Sequence, residues 1–301
     1  AMSARAATLI NGQESNIAPL LKSMGQILRA GCKIAILTGN TLSAVERSAL
    51  DPLKAELGED SHLMAQVTVV TNGGGKVFSF SADSGRYELD EAVDLHETVG
   101  PEVLERAKKI IHDAAKTLDF DGAARELFGR GVQGEIIVED KTHKQGRDVL
   151  GQLVLVPLGH PVSNKDRDKY NQTGGRERRL GYAAYLNEEF WKAGIPLKAL
   201  VSGKTSLDIG IVDKGYAIKK LAERLQTTPR RIIYSGDSMR KGENDEPAAK
   251  LSGLVINVGP NSDSKLGAMS FTEERAGPEG MGAYLKIVEY YARAAAFLRG
   301  S

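Results

Sequence analysis

The amino-terminal part of the chain alternates between helical and extended hydrophobic patterns. Residues 17–30 place apolar side chains three and four positions apart, which predicts an amphipathic helix that ends at Gly31. The apolar runs Lys33–Leu37 and Val67–Val70 are each followed by polar or glycine-rich sequence, and a second helix is expected over residues 41–57 between them. This alternation predicts a parallel sheet with helices on its faces.

The middle of the chain has a different pattern. Lys76–Tyr87 alternates polar and apolar positions as a β-hairpin does, and residues 101–118 and 182–193 have helical spacing. Extended runs are expected at Gly134–Val138 and Gln152–Pro157. Strands that occur in clusters with helices between them favour a separate α+β unit.

From Ser206 onward the alternation of strand and helix patterns returns. The sequence therefore predicts that the last third of the chain belongs to the same α/β unit as the first part. The expected elements are the strands Leu207–Val212, Arg231–Tyr234 and Gly253–Val258 and the helices Tyr216–Leu225, 246–251 and 282–298.

Composition narrows the class of protein. The 301 residues carry 40 basic and 39 acidic side chains, and this near-balance argues against a large nucleic-acid-binding surface. No apolar run approaches the ~20 residues of a membrane-spanning helix, and the chain does not begin with a signal-peptide pattern. The single cysteine, Cys32, excludes an intramolecular disulfide. We expect a cytoplasmic protein of two domains with no membrane or nucleic-acid partner, and the sequence leaves a homodimer open.

A polar loop follows the strand that ends at Tyr234. It carries Asp237 near its start and the pair Asn244 and Asp245 at its end. The carboxyl ends of parallel strands are where open α/β sheets place ligands, and three oxygen-bearing side chains there suit a hard cation such as Mg²⁺. Taken alone, the segment is also explained as a solvated loop with capping residues for the next helix.

Two further polar positions are expected at the same edge of the sheet. Thr38, Gly39 and Asn40 end one strand and open a helix, which is typical of a phosphate-binding turn, although an ordinary helix cap has the same composition. Lys214 lies at a strand-to-helix junction, where its charge could offset crowded carboxylates and phosphate. In isolation, a surface lysine at a helix start is the favoured explanation of Lys214.

The order of threonine, lysine and paired acids resembles the second, third and fourth motifs of the haloacid-dehalogenase superfamily. The spacing between Gly236-Asp237 and Asn244-Asp245 is similar to that of the eukaryotic-type phosphomannomutases in its sugar-phosphatase branch. The resemblance covers the chain from about Ile34 to Asn257. Further agreements lie in the segments Gly203–Asp208, Asp213-Lys214, Val156–His160 and Thr71–Gly73.

This resemblance implies an α/β fold with a Rossmann-like parallel-sheet core of residues 1–72 and 206–301. An α+β cap domain of residues 73–205 would be inserted into this core. It also implies a Mg²⁺ cofactor, with Asp237, Asn244 and Asp245 as ligands.

The resemblance also implies roles for the remaining site residues. Thr38 and Lys214 take the catalytic positions of the second and third motifs. The implied substrate-binding residues are Gly39, Asn40, Lys141, His160, Ser206 and Asp208. His160 and Lys141 stand where the phosphomannomutases have arginine, whose bidentate grip on phosphate neither side chain can copy.

The first motif of the superfamily, Asp-x-Asp-Gly-Thr, has no clear counterpart, since no aspartate precedes Asp51. The nearest match places Leu9 at the nucleophile and Asn11 at the acid/base position. A leucine cannot form an aspartyl-phosphate and an asparagine cannot shuttle a proton. Two explanations stay open: a degenerate first motif, or a sequence that begins after the true first strand. We expect residues 5–10 to occupy the place of that strand.

The sequence therefore predicts a Mg²⁺-dependent phosphohydrolase for a sugar phosphate or a similar small phosphorylated metabolite, inactive as given if the nucleophile is absent. One alternative is a catalytically dead protein of this fold that binds phosphorylated ligands or a protein partner. The second alternative is a phosphomannomutase. Hydrolysis is favoured over mutase action because a mutase needs two phosphate grips.

Overall fold

The computed structural model describes residues 2–3, 18–120, 124–126, 129, 138–140, 151–159, 162–257 and 269–270. The strands are β1 (Met2–Ser3), β2 (Ile34–Leu37), β3 (Val67–Thr71), β4 (Lys76–Ser81), β5 (Arg86–Ala92), β6 (Val138–Asp140), β7 (Leu153–Leu155), β8 (Lys198–Ser202), β9 (Ser206–Gly210), β10 (Ile233–Gly236), β11 (Leu254–Asn257) and β12 (Met269–Ser270).

The helices fall into two sets that cover the two sheets. They are α1 (Ala18–Arg29), α2 (Leu42–Val45), α3 (Asp51–Leu57), α4 (Leu95–Val99), α5 (Pro101–Thr117), α6 (Asn164–Tyr170), α7 (Arg176–Lys192), α8 (Lys214–Arg224) and α9 (Glu246–Leu251). Shorter turns of 3₁₀ or π helix are Glu46–Leu50, Gly58–Gln66, Asn72–Gly74, Asn171–Gly175 and Pro229–Arg231. Within these described ranges, no helix is long and apolar enough to cross a membrane.

The larger sheet has eight strands in the order β12-β11-β10-β1-β2-β3-β4-β5. All neighbours from β12 to β3 pair in parallel, which confirms the predicted α/β fold class with a parallel sheet. The central place beside β2 and β10 is held by Met2–Ser3, where Met2 pairs with both Ile36 and Ser235. The residues expected to take this place, 5–10, lie outside the described residues. The apolar run of β2 is buried throughout, as a strand with helices on both faces requires.

Helices pack on both faces of the larger sheet. Met24 and Leu28 of α1 and Leu53 of α3 lie in one apolar cluster with Ile36 and Val69 of the sheet. A second cluster joins Ile218 and Leu221 of α8 to the opposite face, where they meet Leu37, Val70 and Tyr234. The two clusters hold β2, β3 and β10 side by side, so the loops at their carboxyl ends share one edge.

The smaller sheet has four antiparallel strands in the order β6-β7-β9-β8. Leu104 and Ile111 of α5 and Leu186 and Phe190 of α7 pack on one face of it together with Ile209. We refer to this sheet with α5, α6 and α7 as the cap.

Sheet membership differs from the predicted domain boundaries in two places. The hairpin β4–β5 extends the larger sheet, although residues 73–205 were expected to form the cap. Strand β9 belongs to the small sheet, although the core was expected to resume at Ser206. In both cases the partner strand decides the sheet, and a local pattern of residues does not show which partner a strand has.

One buried arginine closes the turn between β8 and β9. Arg179 of α7 is 1% exposed, and its Nη1 atom donates to the carbonyl oxygens of Ser202, Gly203 and Ser206 at 3.0–3.4 Å. The Nη2 atom donates to Asn171 at 2.9 Å. Burial lowers the pKa of Arg179 to about 10. The guanidinium thus satisfies the carbonyls of a tight turn that a shorter donor could not reach.

Candidate functional site

The loop that follows β10 carries the strongest of the predicted site residues. Because β10 lies between β1 and β11 in the parallel sheet, Asp237 directly follows the carboxyl end of a central strand. The loop ends at Asp245, which is 0% exposed and precedes α9. The structure therefore places this loop at the sheet edge predicted from the sequence.

Asp245 is held by a buried set of donors. Its Oδ1 atom pairs with the Nζ atom of Lys214, which is 2% exposed, and accepts a hydrogen bond from the hydroxyl of Tyr234 at 2.6 Å. Its Oδ2 atom accepts from the backbone N–H groups of Asp237 and Ser238 at 2.9 and 3.0 Å. Burial alone would raise the pKa of Asp245, but the Lys214 ammonium and these hydrogen bonds hold it below its ordinary value.

The local sequence around α8 fixes the position of Lys214. The side chain of Asp213 caps this helix by accepting from the backbone N–H of Tyr216 at 3.0 Å. Gly215 allows α8 to approach α9, since a Cβ atom there would lie 2.9 Å from Cβ of Pro247. Lys214 therefore enters the site from the first position of a capped helix, as its junction position predicted.

Thr38 lies at the same edge, directly after β2. It is fully buried, and its backbone N–H donates to the carbonyl of Val70 at 2.9 Å. Its Oγ1 atom accepts from the backbone N–H of Asn40 at 3.0 Å. The turn is thus closed on itself, and the backbone N–H of Asn40 is used within the turn.

The cap brings a carboxylate over this turn. The Oδ2 atom of Asp208 in β9 lies 3.4 Å from the position that a Cβ atom on Gly39 would take. In the small sheet Asp208 is in register with Val154 and Leu200, which are both buried. Ser206 instead donates its hydroxyl hydrogen to the carbonyl of Ser202 at 3.0 Å. The structure therefore brings Asp208 to the candidate site and uses Ser206 within its own hairpin.

The remaining predicted metal ligand is directed elsewhere. Asn244 donates from Nδ2 to the hydroxyl of Ser202 at 3.2 Å, and its backbone N–H donates to the carbonyl of Val201 at 3.1 Å. Asp237 lies at the start of the same loop and is partly buried. No group of three His, Cys, Asp or Glu side chains suited to a metal occurs among the residues that the structure describes. The described donors therefore do not complete a Mg²⁺ site by themselves, and Mg²⁺ stays a prediction.

Three of the predicted site residues lie outside the described residues, namely Asn11, Lys141 and His160. The residues directly after Ser3, and with them the expected first motif, lie outside the described residues as well.

Sequence reasoning also missed Glu243 and its partner. Glu243 is 5% exposed and accepts from Nε of Arg176, on α7 of the cap, at 2.5 Å. Burial raises the pKa of Glu243 to about 7, against the opposing effect of Arg176, and the nearby carboxylates of Asp237 and Asp245 raise it further. The signal in the sequence was a glutamate beside the motif residues, but its partner lies 67 positions away.

Comparison with known proteins identifies the fold. No family model matches the chain, and no curated protein matches it in sequence. An IMP-bound mutant of the Plasmodium falciparum IMP-nucleotidase is similar in structure, with a TM-score of 0.58 and 14% identity over 96% of this chain and 67% of that one. An amino-terminally truncated form of the same protein gives a TM-score of 0.56 and 14% identity over 89% and 64%.

This chain thus spans about two thirds of the length of those structures. At such low identity the likeness shows the fold alone. That fold is the one expected from the sequence, a parallel α/β core accompanied by a smaller α+β unit.

Proposed function

We propose that this chain is a phosphohydrolase-type member of the haloacid-dehalogenase superfamily, with a site for the phosphate group of a small phosphorylated metabolite beside Thr38, Lys214 and Asp237. The observation that carries the proposal is the buried pair of Lys214 and Asp245 at the carboxyl edge of the parallel sheet. A lysine held at such an edge, next to a threonine and an aspartate, supplies the fixed positive charge that a phosphate group needs.

Each residue contributes a distinct part of the site. Asp245 orients the Lys214 ammonium, and the hydrogen bond from Tyr234 keeps that carboxylate in place. Thr38 keeps the turn after β2 compact through its bond from Asn40. The ammonium of Lys214 offsets phosphate charge without moving, because its helix start and its partner are both fixed.

Asp208 supports a sugar as the organic part of the ligand. A carboxylate accepts hydrogen bonds from sugar hydroxyls, and Asp208 lies beside the turn of Gly39 at the proposed phosphate site. The IMP-nucleotidase likeness makes a nucleoside monophosphate the other ligand to test. Mutase action is disfavoured, because the two positions with arginine in phosphomannomutases are Lys141 and His160 here.

The second candidate function is binding of the same ligand without turnover. It is favoured by the sequence after β1, Ala4-Arg-Ala6-Ala-Thr8. When Thr8 is aligned with the last residue of Asp-x-Asp-Gly-Thr, Ala4 and Ala6 fall at the two aspartate positions and offer neither a nucleophile nor an acid/base. Mg²⁺ neutralises phosphate charge in phosphohydrolases when it is bound. Here Asp237, which directly follows β10, is a described carboxylate that would share in holding it.

The test combines ligand binding with restoration of the first motif. Binding of mannose 1-phosphate, glucose 6-phosphate and IMP is measured calorimetrically, and phosphate release is measured with and without Mg²⁺. We expect the chain as given to bind a phosphorylated ligand without releasing phosphate. The double variant Ala4→Asp/Ala6→Asp should gain Mg²⁺-dependent release, and adding Asp237→Ala should abolish that gain.

The other outcomes separate the candidates. Phosphate release by the unaltered chain that Asp237→Ala removes would support hydrolysis and reject the binding-only candidate. Conversion of mannose 1-phosphate to mannose 6-phosphate without release would support a mutase. Failure of the unaltered chain and the double variant to bind any of the three ligands would reject the phosphate site itself.

A further inference from the structure

The loop that carries Asp237 is hydrogen bonded to the cap as well as to the core. The backbone N–H of Val201 in β8 donates to the carbonyl of Gly242 at 3.0 Å, and the N–H of Asn244 donates to the carbonyl of Val201 at 3.1 Å. These two bonds form a parallel β-bridge between Val201 and Glu243. The loop thus adds a short extended segment beside the edge strand β8 of the small sheet.

Side chains reinforce this bridge on both sides. Nδ2 of Asn244 donates to the hydroxyl of Ser202 at 3.2 Å, and a Cβ atom on Gly242 would lie only 3.1 Å from Cδ2 of Leu180. The φ angle of Gly242 is +83°, a backbone conformation that side chains with a Cβ atom disfavour. The contact therefore depends on a glycine at this position, and we call the whole set the cap–loop contact.

Glu243 occupies the centre of the cap–loop contact. Its Oε1 atom accepts from Nε of Arg176 at 2.5 Å, and its Oε2 atom accepts from the backbone N–H of Arg240 at 2.8 Å. The side chains of Arg176 and Glu243 are 15% and 7% exposed. One carboxylate thus closes the turn of the loop with one oxygen and binds the cap helix α7 with the other.

We propose that Arg176 is a positioning residue, which acts through Glu243 to hold the Asp237–Asp245 loop in its observed conformation and makes that conformation depend on the position of the cap. This inference deepens the proposed function, because the loop is that of the proposed phosphate site. By linkage, a ligand that orders the loop also favours the cap position seen here.

A matched pair of arginines on the same helix tests the proposal. Arg176→Ala removes the donor to Glu243, while Arg178→Ala removes an exposed arginine that pairs with Glu126 outside the loop. Hydrogen exchange of the amides of residues 236–245 is measured for both variants. The distance between the core and the cap is measured by double electron–electron resonance between two spin labels. The labels are attached at Lys22→Cys and Glu102→Cys, both exposed, in a Cys32→Ser background.

We expect Arg176→Ala to increase exchange of the loop amides by roughly tenfold or more and to broaden the distance distribution, with Arg178→Ala unchanged in both. Arg176→Lys should recover part of the protection, since lysine keeps the charge but not the planar fork. If Arg176→Ala does not fold, Arg176→Lys carries the same comparison, with Arg178→Lys as its control.

Unchanged loop exchange in Arg176→Ala, with only a lower melting temperature, would overturn the proposal, because a purely structural ion pair gives that result. These readouts need no ligand, so they stay informative if the proposed function fails. A final arm adds inorganic phosphate: a narrower distance distribution in the unaltered chain supports the linkage, and an unchanged distribution despite measured phosphate binding overturns it.

Discussion

Two carboxylates two positions apart in one loop have opposite electrostatic environments. Asp245 accepts from an ammonium, a phenol and two backbone N–H groups inside the core, and its pKa is lowered. Glu243 accepts from Arg176 and one backbone N–H between core and cap, and burial raises its pKa to about 7. Burial raises the pKa of both carboxyl groups, but at Asp245 the Lys214 ammonium and the hydrogen bonds outweigh burial, whereas at Glu243 the effect of Arg176 does not.

The comparison separates two kinds of contact in the candidate site. The core contact fixes a permanent negative charge opposite Lys214, which keeps the ammonium oriented. The cap–loop contact leaves Glu243 close to the balance between its charged and neutral forms at neutral pH. We therefore expect changes at Asp245 to affect the stability of the whole core and changes at Glu243 to affect mainly the loop and its attachment.

The largest expected effect is that of Asp245→Ala. It leaves the Lys214 ammonium buried without its carboxylate, so the free energy of unfolding should fall by about 3–5 kcal/mol. Urea unfolding measures this change, and Asp237→Ala, at the less buried start of the same loop, should cost under about 1 kcal/mol. A loss for Asp245→Ala no greater than for its control would contradict the contrast between the two contacts.

Tyr234→Phe tests one donor of the core contact. It removes the O–H that donates to Asp245 at 2.6 Å and leaves the ring in place, so we expect a loss of about 1.5–3 kcal/mol by urea unfolding. Tyr216→Phe on α8 is the control, because that ring is only partly buried, and it should change the unfolding free energy by no more than about 0.5 kcal/mol. Equal losses in the two variants would exclude a special role for the Tyr234 hydroxyl.

Glu243 should make stability depend on pH in the opposite direction to Asp245. Its folded-state pKa of about 7 lies above the ordinary 4.5, so the folded protein keeps the proton longer than the unfolded chain. Its contribution is therefore fully present below pH 4.5 and is lost as the pH rises through about 7. The charged groups that face it are Arg176, Asp237 and Asp245. After allowance for them, we expect Glu243 to lower the free energy of unfolding by about 1 kcal/mol between the two pKa values.

Glu243→Gln isolates this effect from that of the other carboxylates. The variant should show a smaller decline in unfolding free energy between the two pKa values than the unaltered protein. Denaturant titrations of both proteins at the two ends of this pH range measure how far the free energy of unfolding of each declines. Parallel pH profiles for the two proteins would mean that Glu243 titrates as an ordinary exposed glutamate.

The smallest effect is expected at Arg178. Its pair with Glu126 is exposed, with side chains 35% and 68% accessible, so Arg178→Ala should alter the free energy of unfolding by about 0–0.5 kcal/mol. Thermal unfolding at low and high salt checks this, since an exposed pair should weaken further with salt. A larger loss would show that α7 depends on charge along its whole length, and it would remove Arg178 as a control.

The sequence was sufficient to predict much of the core. The apolar runs of β2, β3 and β10 and the helices beside them follow from local periodicity, and Thr38 and Lys214 follow from their places at strand ends. The sheet to which a strand belongs was harder to predict, because a hydrophobic pattern does not specify the partner: β9 pairs with its hairpin neighbour β8 and with the distant β7. The two described residues of β1, Met2–Ser3, have no hydrophobic pattern from which their pairing could be predicted.

The candidate site was predictable only where its chemistry is local. Asp237 and Asp245 flank a loop whose spacing is visible in the sequence. The hydrogen bonds that Asp245 accepts come from the hydroxyl of Tyr234 and from backbone N–H groups, whose positions are set only in the folded protein. The direction of Asn244 toward the cap and the partner of Glu243 are set by the packing of α7 against the loop. No periodicity encodes such contacts, because they join surfaces of two separate sheets.

The order of strands in the larger sheet also constrains how the chain can fold during synthesis. Met2 pairs with Ser235, so the central strand cannot gain both neighbours until β10 has left the ribosome. The strands of the cap, from β6 to β9, follow one another in the chain and can pair before that time. We therefore expect the backbone amides of the cap to be protected from hydrogen exchange first in a nascent chain. The larger sheet is completed later, when β10 pairs with β1.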